Sequence, residues 1–100
     1  MSVLMVRSKV KEDSVAEVEA GIAKVFAAID EAQPRGVRYT SCKAADGVTF
    51  MALLQLDDGV ENPLFGLPAF REFQENLKDW VDGPPAAEQL TVVGSYGFFE

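Results

Sequence analysis

The stretch of residues 48–56, which reads VTFMALLQL, carries apolar side chains in both sets of alternating positions. As a strand it would point Phe50 and Leu54 to one face of a sheet, and Met51 and Leu53 to the other. A strand with one face in water alternates apolar and polar residues instead. We therefore predict that both faces of this strand are covered.

Hydrophobic periodicity predicts five further elements along the chain. The predicted strands cover residues 3–10, 37–45, 48–56 and 90–99, and the predicted helices cover residues 14–32 and about 68–81. Ser14 and Glu17 have the spacing of a capping box, and Pro68 suits the first position of a helix. Gly21 lies inside the first helix, where glycine is less favourable than Ala by about 1 kcal/mol. Either a neighbouring element approaches closely at this position, or the glycine lies at the surface and is tolerated there. With right-handed crossovers, this order predicts a single ferredoxin-like α+β domain over residues 1–100, a four-stranded antiparallel sheet with two helices on one face.

An Asp-Gly pair at residues 46–47 separates the second and third strands and is a strong hairpin signal. If it forms a two-residue turn, Ala45 pairs with Val48 and Tyr39 lies opposite Leu54. The face that carries Tyr39 and Leu54 is the more apolar one, so we expect it to face the helices.

The second face of the sheet predicts a homodimer. The strands at 3–10, 48–56 and 90–99 carry apolar residues on both sides, whereas the two helices cover one side only. Burial of one such side chain stabilises the fold by about 1.5 to 3 kcal/mol. If about six to eight of them stayed exposed, roughly 10 kcal/mol of this stabilisation would be lost. A twofold dimer with the sheets face to face removes this penalty. The alternative is that loops or the C-terminal tail cover part of the face.

Composition excludes several functions. Sixteen acidic against nine basic residues, a net charge of −7, disfavour nucleic acid and anionic membranes as partners, because both require clustered Lys and Arg. No segment approaches the roughly 18 apolar residues of a membrane span, and the N-terminal apolar run is too short for a signal peptide, so we expect a cytoplasmic protein. The lack of histidine and the single cysteine exclude a Ser-His-Asp triad and the usual zinc sites. We expect no metal and no cofactor, and we interpret the acidic residues at 57, 58 and 61 as a solvated turn.

Three side chains are candidates for ligand contact, and each also has a purely structural explanation. Tyr39 could donate its hydroxyl to a bound phenolate, or it could be a satisfied core tyrosine. Asn62 could be a ligand donor or could form an Asn-Pro turn with Pro63. Trp80 could form a pocket wall or simply pack in the core.

The element order, the length, and the segments 62–64 (NPL) and 67–73 (LPAFREF) resemble the dimeric α+β barrel proteins. Within that superfamily the chain is similar to the antibiotic biosynthesis monooxygenase-like proteins. The resemblance implies a pocket between helices and sheet, in which a small aromatic or quinone-type molecule is oxidised by O₂ without metal, flavin or haem. It implies Asn62, Trp80 and Tyr39 as catalytic residues. We expect Phe70 and Phe73, on the inner stripe of the second helix, and Leu54 to bind the ligand. The haem-degrading relatives depend on a histidine, which this chain lacks.

Two other functions stay open on the same scaffold. In a non-catalytic ligand-binding or structural dimer, Phe70, Phe73, Trp80 and Tyr39 would themselves fill the space between helices and sheet. A cavity of about 300 Å³ or more with convergent polar groups favours the enzyme instead. A cofactor-free isomerase or lactone-handling enzyme would need a general base, and the sequence marks none.

Overall fold

The structure is a computed structural model that describes residues 2–97. Its elements are β1 (Ser2–Lys9), α1 (Val15–Ala32), β2 (Val37–Lys43), β3 (Thr49–Leu56), α2 (Pro68–Trp80) and β4 (Ala86–Thr91), with short 3-10 helices at Glu12–Ser14 and Pro63–Gly66. The strands form one antiparallel sheet in the order β2-β3-β1-β4. Both helices pack on one face of this sheet, so the ferredoxin-like prediction is confirmed. Neither helix in this part of the chain is long and apolar enough to cross a membrane.

At the two ends of α1, the predicted N-terminal cap is absent and the predicted C-terminal stop is present. Ser14 is the N-cap residue, but its side chain makes no capping hydrogen bond and instead donates to the Asp13 carboxylate, so the predicted capping box does not form. Its φ and ψ of −107° and 0° continue the preceding 3-10 turn, whereas a capping serine needs an extended backbone. At the other end Gln33 adopts a left-handed conformation with φ 50°, and its N–H donates to the carbonyl of Ile29. Pro34 follows at once, and the helix ends where predicted.

The hairpin between β2 and β3 has the predicted register but a different turn. Tyr39 lies opposite Leu54, as expected. The N–H of Ala44 donates to the carbonyl of Thr49 at 2.8 Å, so the loop has four residues, 45–48, and the predicted two-residue turn is wrong. The register is unchanged because the loop gains one residue on each side of the Asp-Gly pair. The carboxylate of Asp46 accepts hydrogen bonds from the N–H groups of the residues that close the loop, which stabilises the longer turn.

The fourth strand is the largest departure from the predicted fold. β4 runs antiparallel to β1 over Ala86–Thr91 rather than over residues 90–99. Pairing starts directly after Pro85, and Thr91 already lies opposite Ser2 at the start of β1, so residues 92–97 extend past the strand. The predicted bulges at Gly94 and Gly97 therefore fall outside it, and residues 98 and 99 lie outside the described part of the chain. The apolar run misled the prediction because backbone pairing with β1 does not require apolar side chains.

The two faces of the sheet differ in how they are covered. The face toward the helices includes Phe50, which belongs to a core with Val18, Val25 and Phe70. This confirms the predicted orientation of the hairpin. The opposite face, called the far face below, carries two buried residues and four half-buried apolar ones: Val3 and Gln55, then Met5, Met51, Leu53 and Leu90. Glu88 also lies on that face, so β4 is less apolar than predicted.

Candidate active site

A cavity of about 250 Å³ lies between the helices and the sheet. Three strands form its floor, the two helices form its roof, and the connection between β3 and α2 closes one side through Asn62 and Phe65. Its volume is slightly below the roughly 300 Å³ typical of small-molecule pockets. Its walls are mostly apolar, so it suits an aromatic or aliphatic ligand better than a strongly hydrated one.

Small side chains on the sheet produce this space. Across the strands, Ser41, Ala52 and Val6 lie side by side in one row. The next row contains Tyr39 and Leu54, which are much larger. Because the middle row is short, the helices above it leave a hollow that the surrounding side chains do not fill.

Tyr39 is held within an aromatic cluster beside the cavity. Its ring stacks on Phe26, with centroids 5.5 Å apart, and meets the ring of Phe70 edge to face at 6.0 Å. Burial raises the pKa of the Tyr39 phenol above its ordinary value, so the hydroxyl stays protonated at neutral pH. None of the side-chain hydrogen bonds found between residues 2 and 97 involves this hydroxyl, which leaves it available as a donor.

Asn62 is both a structural cap and part of the cavity wall. Its Oδ1 accepts a hydrogen bond from the N–H of Leu64 at 3.0 Å, which caps the 3-10 helix Pro63–Gly66. Leu64 is fully buried and anchors this connection to the core. With Oδ1 occupied, the amide Nδ2 is the group that Asn62 can offer to a ligand as a hydrogen-bond donor.

The predicted ligand-binding residues meet at this cavity, whereas Trp80 does not. Five of the six predicted site residues line it: Tyr39, Leu54, Asn62, Phe70 and Phe73. Trp80 lies at the last residue of α2, in a groove between the helices, with its ring 6.2 Å from that of Phe73. The backbone carbonyl of Trp80 accepts from the N–H of Lys11, which holds this end of α2 beside the end of β1. Trp80 lies on the side of α2 that faces α1, in line with Glu72 and Asn76, whereas Leu77 in the same last turn lines the cavity.

Sequence reasoning missed three polar residues that also line the cavity: Ser8, Ser41 and Gln74. Ser8 is the most buried of them, with 6% of its surface exposed. A signal for it was present, because Ser8 is the polar residue among the alternating positions 4, 6, 8 and 10, which otherwise carry Leu4, Val6 and Val10.

The cavity is uncharged. No Asp, Glu, Lys or Arg from residues 2–97 lines it. In the same range, no group of three or more acidic, histidine or cysteine side chains is placed to hold a metal ion. The chemistry available on its walls is therefore hydrogen bonding from hydroxyl and amide groups within an apolar enclosure.

Solved structures identify the fold that encloses this cavity. No family model matches the chain, and no curated protein does. A candidate antibiotic biosynthesis monooxygenase from Caulobacter crescentus superposes with a TM-score of 0.73 at 20% identity, covering 93% of this chain and 90% of its own. A candidate antibiotic biosynthesis monooxygenase from Nitrosomonas europaea gives a TM-score of 0.72 at 16% identity, covering 94% of this chain and all of its own. The chain thus has the ferredoxin-like fold of the antibiotic biosynthesis monooxygenases.

A third structure with this fold has a described activity. SnoaB from Streptomyces nogalater, a cofactor-independent oxygenase, superposes with a TM-score of 0.69 at 18% identity over 96% of both chains. At these identities the likeness establishes the shared fold.

Proposed function

We propose that the protein is a homodimeric, cofactor-independent monooxygenase of a small aromatic or quinone-type molecule bound in the cavity. The observation that carries this proposal is the apolar cavity lined by Tyr39, whose protonated hydroxyl takes part in none of the side-chain hydrogen bonds among residues 2–97. The fold shared with SnoaB, a cofactor-independent oxygenase, supports the same reaction class.

The proposed reaction oxidises a phenol to a quinone. The ring carbon opposite the hydroxyl loses its hydrogen and gains one oxygen atom of O₂ as a carbonyl. The second oxygen atom leaves as water with the ring hydrogen and the phenolic hydrogen, and the phenol supplies all four electrons. The Tyr39 hydroxyl and the Asn62 amide would donate hydrogen bonds to the phenolate oxygen, and the apolar walls would exclude water from the reacting carbon.

The uncharged wall has a kinetic consequence under this proposal. With no carboxylate or lysine lining the cavity among residues 2–97, the protein supplies no obvious base for the phenol. The phenolate would then enter from solution. We expect kcat/KM to rise with pH along the ionisation of the free substrate and to level off above the substrate's own pKa.

The dimer is supported by features of the far face and of the segment after β4. Four apolar side chains of the far face are only half-buried: Met5, Met51, Leu53 and Leu90. Val93 and Tyr96 follow β4 and are 99% and 97% exposed, which is unusual for large apolar side chains. A second copy of the chain would cover such apolar surface.

The first test is binding and oxygen uptake with 1-naphthol, whose oxidation yields 1,4-naphthoquinone and water. We expect 1-naphthol to raise the melting temperature of the protein and O₂ consumption to match quinone formation one to one. Tyr39→Phe keeps the aromatic packing but removes the donor, and it should weaken phenolate binding about tenfold or more. Ala52→Leu fills the middle of the floor and should abolish the thermal shift.

A leucine at an exposed loop position gives the matched control, because Ala45→Leu adds the same side chain away from the cavity. It should bind 1-naphthol as the unmodified protein does. Quinone formation that persists without oxygen would overturn the proposed reaction, and binding that survives Ala52→Leu would overturn the proposed site.

A non-catalytic ligand-binding dimer is the second candidate. The absence of charged groups from the described cavity wall and its volume of about 250 Å³ favour it. It predicts the same thermal shifts with 1-naphthol, together with no oxygen uptake at any pH.

A further inference from the structure

Ser8 holds a hydroxyl group inside the cavity at a position that the proposed chemistry at Tyr39 and Asn62 does not use. It lies on β1 opposite Phe50, and 94% of its surface is removed from solvent. None of the side-chain hydrogen bonds found within residues 2–97 involves Ser8. Ser8 lines the cavity, so its hydroxyl can form a hydrogen bond with a molecule that occupies this space. Its natural partner is therefore whatever occupies the cavity, water in the free protein and a polar group of the ligand in the complex.

Ser8 and Tyr39 lie at opposite corners of the cavity floor. Tyr39 belongs to the row of Leu54, and Ser8 to the row of Phe50 four residues along β3, with β3 itself between their strands. At ordinary strand spacing their Cα atoms are roughly 15 Å apart. Directly between them the floor consists of Ala52 on β3 and Val6 on β1, which offer no hydrogen bonds, and Ser41 lies to one side of this line on β2.

We infer that Ser8 determines specificity by binding a second polar substituent of the ligand, at the end remote from the phenol oxygen held by Tyr39. This inference rests on the proposed function, because it takes the cavity to be the ligand site. It assigns the ligand to a narrower class: elongated, fused-ring aromatics with an oxygen substituent at each end. A ligand with a single oxygen substituent makes no hydrogen bond to Ser8. It should therefore bind less tightly than an analogue with an oxygen substituent at each end.

The test compares 2-naphthol with 2,6-dihydroxynaphthalene, which differ only by a hydroxyl at the far end, using calorimetry on the full chain. We expect the unmodified protein to bind the dihydroxy compound more tightly, and Ser8→Ala to reduce that affinity about five- to tenfold. The affinity for 2-naphthol should stay within about twofold, since that ligand does not reach Ser8. The ratio of the two affinities is the readout that a merely structural serine would not change.

Ser2→Ala is the matched control, because it makes the same change on the same strand and the same sheet face at an exposed position. Both affinities should be unchanged in that variant. If both ligands bind the unmodified protein and the ratio is the same in Ser8→Ala, the assignment of Ser8 is overturned while the cavity site stands. If neither ligand binds the unmodified protein, both the ligand site and the role of Ser8 are overturned.

Discussion

Gly21 allows the two helices to approach each other. A Cβ atom at this position would lie 2.6 Å from Cδ1 and 3.0 Å from Cε1 of Phe73, closer than carbon atoms tolerate. An alanine there would force the Phe73 ring toward the cavity that it lines, or force the two helices apart. The two explanations that the sequence left open for Gly21 are thus resolved in favour of close approach.

We expect Gly21→Ala to lower the free energy of unfolding by about 1 to 3 kcal/mol, the usual effect of overpacking. This is opposite to the gain of about 1 kcal/mol that Ala brings at an unconstrained helix position. Urea denaturation measures the change, and Ala23→Gly, at an exposed position of the same helix, controls for helix propensity. A stabilised Gly21→Ala protein would contradict the tight packing of α1 on α2.

At the scale of elements, patterns that combine periodicity with a stop signal predicted the structure well. The helix α1 ends at Ala32, two residues before Pro34, and α2 begins at Pro68, both as predicted. The register of β2 with β3 survived a wrong turn type, because the loop lengthened symmetrically. The predicted position of β4 was wrong because the strand starts where its backbone can pair with β1. The residues of β4 alone do not show where that pairing begins.

The β2–β3 loop should respond to acid through Asp46. The Thr49 hydroxyl, at 2.6 Å, and the N–H groups of Val48 and Thr49 hold the pKa of the Asp46 carboxyl below its ordinary value. A lowered pKa in the folded state means that the ionised carboxylate stabilises the fold above its unfolded-state pKa of about 3.9. This stabilisation is lost as the pH falls from there through the folded-state pKa.

Urea denaturation of the unmodified protein and of Asp46→Asn, compared from pH 7 to pH 3, tests this effect. The asparagine keeps the Oδ1 acceptor but not the charge, so the unmodified protein should be the more stable at pH 7, with the difference shrinking below about pH 4. Thr49→Val removes the hydroxyl that lowers the Asp46 pKa most. In that variant the free energy of unfolding should change less between pH 7 and pH 3. A difference independent of pH would mean that the charge of Asp46 plays no part in the loop.

For the whole molecule, the sequence predicted where the cavity lies better than what lines it. The motif at 62–73 and the hairpin register placed Asn62, Tyr39 and Phe70 around one space. Ser8 was missed because a single serine in an apolar strand looks like ordinary variation until its burial is known. Trp80 was misplaced because the predicted inner stripe of α2 spans two sides of the helix: Phe70 and Leu77 line the cavity, whereas Trp80 lines the groove toward α1.

The far face of the sheet gives the prediction that concerns the whole assembly. Leu53 lies at its centre, opposite Met5 on β1 and Thr40 on β2. In the proposed dimer, Leu53→Glu would bury an unpaired carboxylate, which costs about 3 kcal/mol or more and weakens association at least about 100-fold. Ala23→Glu adds the same charge on an exposed face of α1 and should leave the dimer intact. Analytical ultracentrifugation across micromolar concentrations measures the dimerisation of the unmodified protein and of both variants. Two outcomes would show that the sheets do not meet through this face: an unmodified protein that sediments as a monomer, or a Leu53→Glu protein that stays dimeric.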